Sequence, residues 1–111
     1  MASIIFDASL RNLMLNEATD GTVGINKIRI TYSDNSNSPY EDITWNAASN
    51  GSVSQASDVV FGITAGKTVE SFTLANGTTA MVFYEFDTAY VYSENGTFTV
   101  RNTSLTIPEL G

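Results

Sequence analysis

The chain reads as an all-β protein, an antiparallel β-sandwich or jelly-roll-like fold of about eight short strands with one short N-terminal helix. Three observations predict it. Apolar and polar residues alternate with a period of two over most of the sequence, which places apolar side chains on one face of a strand. Turn-forming clusters recur every 8 to 12 residues, the spacing of sandwiches and related β folds. Only one stretch, near the N-terminus, carries a helical spacing of apolar residues. At 111 residues and 42% hydrophobic content the chain has the size of one domain, residues 1–111, with enough apolar material for a core.

The helix is expected over about residues 8–16. Asp7 is its N-cap candidate, and Leu10, Leu13 and Met14 fall at i, i+3 and i+4, one apolar stripe on one face. Asp20-Gly21 ends the segment with a turn signal. The stripe suits a cover over an open end of the sandwich, or docking on a neighbouring subunit. From Ile25 the period changes: Ile28, Ile30 and Tyr32 alternate with Lys27, Arg29 and Thr31, a half-buried strand. Ser33 to Pro39 has no apolar residue and is expected as an exposed loop. Its Asp34, Asn35 and Asn37 offer hard oxygens but lack the spacing and terminal Glu of a Ca²⁺-binding loop.

Tyr40 to Trp45 predicts a second strand with Ile43 and Trp45 on one face, Trp45 anchoring the core. Small polar residues from Ala47 to Ser52 form a connection; Val53 and then Val59 to Phe61 supply another strand, and Gly62 to Lys67 a loop. From Thr68 to Ile107 the pattern is that of a β-meander, punctuated by Asn76-Gly77 and Asn95-Gly96, the dipeptides of tight type I′ hairpin turns. Met81 to Phe86 is apolar on both faces except at Glu85, as in a central strand or one that meets a partner on its second face. Tyr90 and Tyr92, then Phe98 and Val100, then Leu105 and Ile107 continue the strands, and Pro108 closes them.

Composition excludes most chemistry. The absence of Cys and His removes disulfides, thiolate metal sites, thiol nucleophiles and the commonest general base. Glu70 and Glu85, on neighbouring predicted strands, are the one carboxylate pair worth weighing as a glycosidase-like couple; no catalytic, cofactor or metal residue is assigned, and an enzyme is not expected. Five scattered basic residues against twelve acidic ones give a net charge of −7, which argues against a nucleic-acid partner. Met1 to Phe6 has neither a basic flank nor a long apolar run, so a secretory signal and a membrane span are not expected. The four Asn-X-Ser/Thr sequons, at Asn50, Asn76, Asn95 and Asn102, are read as turn chemistry.

Taken in order, the segments resemble small virion proteins of tailed bacteriophages, the capsid decoration, head fibre and tail fibre-like proteins. The likeness rests on a short helix, Phe6 to Leu13; the strand Lys27 to Tyr32; the segment Ile43 to Ser54 with Asn50-Gly51 inside it; the strand Asp58 to Phe61; and Thr68 to Leu74. Where relatives continue with Gly-rich turns, this chain has Ala75-Asn76-Gly77 and the hydrophobic Met81 to Phe86. The resemblance implies a non-enzymatic structural protein without cofactors, made in the host cytoplasm and placed on the outer surface of the virion. It would act as a cement protein that bridges subunits of the major capsid protein, working with copies of itself as a trimer. The alternative is a tail, fibre or baseplate module, its loops Ser33 to Ser38 and Ala47 to Ser57 binding host glycan with Tyr40 stacked on sugar. Candidate partner contacts are Ile4, Ile5 and Phe6 near the start, Tyr84, Phe86, Tyr90 and Tyr92 in the meander, and Leu105, Ile107 and Leu110 near the end.

Overall fold

A computed structural model describes residues 7–107. Among them the fold is all-β and antiparallel, with one helix, α1 (Ala8–Ala18), and eight strands: β1 (Lys27–Tyr32), β2 (Glu41–Asp42), β3 (Ser52–Ser54), β4 (Val59–Ile63), β5 (Thr68–Asn76), β6 (Thr79–Val91), β7 (Gly96–Val100) and β8 (Ser104–Thr106). The main sheet has the order β2-β1-β5-β6, and two ribbons, β3-β8 and β4-β7, complete a sandwich-like arrangement.

The core follows the alternation in β1 and β5. Ile28 lies beside Leu74 and Ile30 beside Phe72, so one face of the main sheet is apolar, and Val59, Phe61 and Ile63 of β4 with Val100 of β7 join the same buried cluster. β5 does not alternate strictly. A register shift between Val69 and Ser71 changes which residues point inward, so that Val69 is buried along with Phe72 and Leu74. Trp45 packs on the core and its indole N–H donates to the Ile25 carbonyl at 3.1 Å, although the expected strand around it shortens to Glu41–Asp42 and a lone bridge between Trp45 and Gln55.

The helix docks the other way round from its apolar stripe. Leu10, Leu13 and Met14 are exposed, Leu13 by 67%, and Leu15 is the buried residue. The face turned to the sheet carries polar anchors. Asn12 accepts the Gly51 N–H at 2.8 Å and Asn16 the Ala48 N–H at 2.9 Å, while Arg11 donates to the Ile107 carbonyl at 3.2 Å. The reason is the connection from Ala48 to Gly51, where Ser49 bridges Ser52 but the N–H groups of Ala48 and Gly51 have no ladder partner and turn to the helix. Gly51 holds a positive φ of 73°, and a side chain there would strike Arg11. Asp7 makes no side-chain cap, and its carbonyl accepts the Arg11 N–H instead.

The two Asn-Gly turns also differ from expectation. In the β5-β6 hairpin Asn76 still pairs with Thr79, and Gly77, at φ +57°, is the first of two turn residues, the arrangement of a II′ turn. Asn76 is thereby freed to donate to the carbonyls of Gly24 (2.6 Å) and Thr22 (3.3 Å). Around Asn95 there is no return onto β6. Gly66 N–H donates to the Tyr92 carbonyl, Tyr92 N–H to the Lys67 carbonyl, and Ala65 N–H to the Asn95 side chain. These bonds lead the chain along residues 65–67 and on to β4, so β7 pairs with β4 and the meander ends after one hairpin. Asn50 and Asn102 occupy positive φ, in keeping with turn chemistry at those sequons.

Candidate functional site

β6 is the longest strand, 13 residues, and it lies at the edge of the main sheet. A central position for Met81 to Phe86 is therefore overturned. The Gly77 hairpin fixes β6 against β5, and among the described residues no strand adds to its outer edge. The register places Leu74 beside Val82, Phe72 beside Tyr84 and Thr73 beside Phe83. Val82 and Tyr84 thus share the core face, and Phe83 stands on the opposite face. Both faces remain largely open: Met81 is 52% exposed, Phe83 74%, Tyr84 51%, Tyr90 50% and Val91 77%.

β6 is held from one side by an aromatic cluster. Phe86 contacts Phe72, Tyr84, Tyr90 and Phe98 at centroid separations of 5.9, 5.5, 5.2 and 5.6 Å, and Phe72 stacks on Tyr84 at 5.3 Å. Ring contacts of this kind add about 0.5–1.5 kcal/mol each beyond burial. The cluster accommodates a large irregularity: Val69 pairs with Tyr90 but Ser71 with Glu85, so residues 86–89 bulge from the ladder. A cavity of about 250 Å³ opens next to it, with Phe72, Leu74, Val82 and Tyr84 on one side and Leu105 on another.

Of the expected contact residues, Ile4, Ile5, Phe6 and Leu110 lie outside the described residues. Tyr84, Phe86 and Tyr90 come together in the ring cluster, Tyr84 and Tyr90 half exposed. Tyr92 is turned inward, packs on the core and donates its hydroxyl to the Thr97 carbonyl at 2.8 Å; burial, and then neighbouring Tyr90, push its phenol above the ordinary value. Leu105 packs on the core as well, and Ile107 is only partly exposed, its carbonyl taken by Arg11. Phe83 and Met81, among the most exposed apolar residues of β6, were absent from the expected contacts. Their signal was the two-faced run itself.

The polar alternatives are occupied internally. Asp34 accepts the Lys67 ammonium at 2.8 Å and both the hydroxyl and N–H of Ser36, which hold its carboxyl well below the usual range. Tyr40 carries the Arg29 guanidinium over its ring at 4.7 Å, so that face is taken. Glu85 lies opposite Ser71, and Glu70 falls in the register shift, so the two carboxylates do not face each other across the ladder. Among the described residues no group of three or more acidic side chains is placed to hold a metal ion, and no helix is long and apolar enough to cross a membrane.

No protein-family model matches the chain, and neither comparison with curated proteins nor comparison with solved structures gives a match.

Proposed function

We propose that this chain is a non-enzymatic structural subunit of a bacteriophage virion, a decoration or cement protein that sits on the outside of the assembled head and bridges major capsid subunits. The observation that carries the assembly role is β6, an edge strand that no other strand covers among the described residues, with apolar side chains exposed on both faces. Exposed apolar surface of this kind marks an interaction site. The phage setting is supported by the segment resemblance, and the external position by the net charge of −7, which suits an outer surface better than a DNA-lined one. A binder that engages only the assembled lattice shifts the equilibrium toward it, so burial alone supplies the mechanism.

The test is co-sedimentation of the purified chain with empty heads and with free capsid subunits, followed by cryo-electron microscopy of decorated particles. Saturable binding to heads alone, at regular lattice positions, is the expected result. Binding to neither form, or a few copies confined to the tail of intact virions, would overturn the cement role. The tail reading uses the same β6 surface, but its glycan version loses the free Tyr40 ring face on which a sugar would stack.

A further inference from the structure

We propose that the occupant of the β6 edge is the β6 strand of a second copy, paired antiparallel across a twofold axis. The inference rests on the reading of β6 as the assembly surface and goes on to name what it meets. Three observations support it.

First, the edge of β6 is protected only toward its C-terminal end, by the bulge at residues 86–89 and by Glu85 and Asp87. Natural edge strands discourage pairing with Lys, Pro, short length or cover. Thr79–Val91 contains no Lys, Arg or Pro, and the described residues provide no neighbouring strand.

Second, lengths match only in self-pairing. The opposite edge of the main sheet is the two-residue β2, and the strands of the ribbons have three to five residues. A threefold ring would have to seat the 13-residue β6 on one of these short edges. Across a twofold axis it meets an edge long enough to pair over residues 79–87, and the two four-stranded sheets become one of eight.

Third, a register exists that separates the carboxylates and brings the most exposed rings together. Alignment over the full strand sets Glu85 against its own copy, and directly opposed like charges destabilise a ladder. Moving the axis to Phe83 sets Phe83 against Phe83, Tyr84 against Val82 and Glu85 against Met81. The most exposed aromatic then finds an aromatic partner, and each carboxylate an uncharged one. At ~200 Å² per aromatic side chain, Phe83 and Tyr84, the exposed rings within this register, leave about 250 Å² exposed on each copy. Two copies, with Met81 and the backbone edges, place the pair at the small end of specific interfaces, so the association is a weak one. Both partners carry a charge of −7, so screening strengthens the pair and added salt tightens the association.

The experiment is sedimentation and light scattering of the full chain over a concentration series, with two substitutions. Phe83→Lys, at a side chain 74% exposed, should leave the fold intact by circular dichroism and weaken dimerisation about tenfold or more. Phe83→Cys introduces a single thiol into a chain with no cysteine, so oxidation should give a covalent dimer, faster than Glu85→Cys and faster than the control Val60→Cys on β4. A monomer at all concentrations, a trimer, a dimer indifferent to Phe83→Lys, or preferential cross-linking at 85 or 60 would each overturn the proposal. The outcome is independent of the capsid assay: a dimer that ignores heads removes the cement role alone, and a monomer that decorates heads removes the twofold pair alone.

Discussion

Gln55 offers the sharpest test of how the parts of the fold are tied together. Its side chain is 8% exposed. The amide nitrogen donates to the carbonyls of Ser57 (2.7 Å) and Val100 (2.8 Å), and the amide oxygen accepts the Thr103 N–H at 3.2 Å. One side chain thus joins the end of β3, the end of β7 and the approach to β8. Gln55→Glu keeps the shape and replaces the double donor with an oxygen set against two carbonyl oxygens. Two hydrogen bonds at ~1 kcal/mol each are lost, and a carboxylate is desolvated among acceptors, for a total of about 3–4 kcal/mol at neutral pH. That is a large part of the 5–15 kcal/mol typical of a small domain. Protonation restores one donor. The folded-state pKa of the introduced Glu is raised above its ordinary ~4.3, so the recovered stability is fully present below about pH 4 and is lost as pH rises through the folded value. Urea unfolding of both proteins at pH 4 and pH 7, read from midpoints at constant slope, measures this. A loss under about 1 kcal/mol at pH 7, or a difference between the proteins that does not depend on pH, would refute the assigned hydrogen bonds.

Three further outcomes follow from the same geometry. Leu15→Ala, at the buried residue of α1, should cost about 2–3 kcal/mol in urea unfolding, whereas Leu13→Ala on the exposed stripe should stay within about 0.5 kcal/mol. Phe86→Ala removes the ring that touches four others; about 2 kcal/mol of stability should go with it, and hydrogen exchange along β6 should quicken. Lys67→Met deprives Asp34 of its ammonium partner, so the Asp34 titration followed by NMR should move up toward ordinary carboxylates. Because the native value is depressed, the contribution of this pair is present above about pH 3.9 and is lost as pH falls through the folded value.

The strands were legible wherever one face alone is buried. Lys27 to Tyr32 alternates in sequence and in burial alike, because a two-residue period leaves a strand no other way to hide Ile28 and Ile30. What sequence periodicity could not show is which strand sits beside which. Asn95-Gly96 carries the hairpin signature, yet the Asn95 side chain serves the Ala65 N–H 30 residues away, and no local pattern encodes that. The helix illustrates the opposite failure. Its apolar spacing is genuine, but its orientation is set by Asn12 and Asn16 bonding to loop backbone, and polar anchors leave no period to read. For the candidate surface, the two-faced Met81 to Phe86 run was visible in sequence, and only the edge position of β6 turns that ambiguity into exposure.

The anchoring of α1 also bears on the order in which the protein is completed. Arg11 reaches the Ile107 carbonyl across 96 residues of chain and the Asn50 carbonyl across 39. Among the described residues the helix precedes every strand, yet one of its anchors, Ile107, is the last of them. Closing so long a loop carries an entropic cost that only an otherwise finished sheet can offset. The Asn12 and Asn16 bonds to residues 48–51 need far less of the chain than the Arg11 bond to Ile107, and Leu10, Leu13 and Met14 stay exposed with all of these bonds in place.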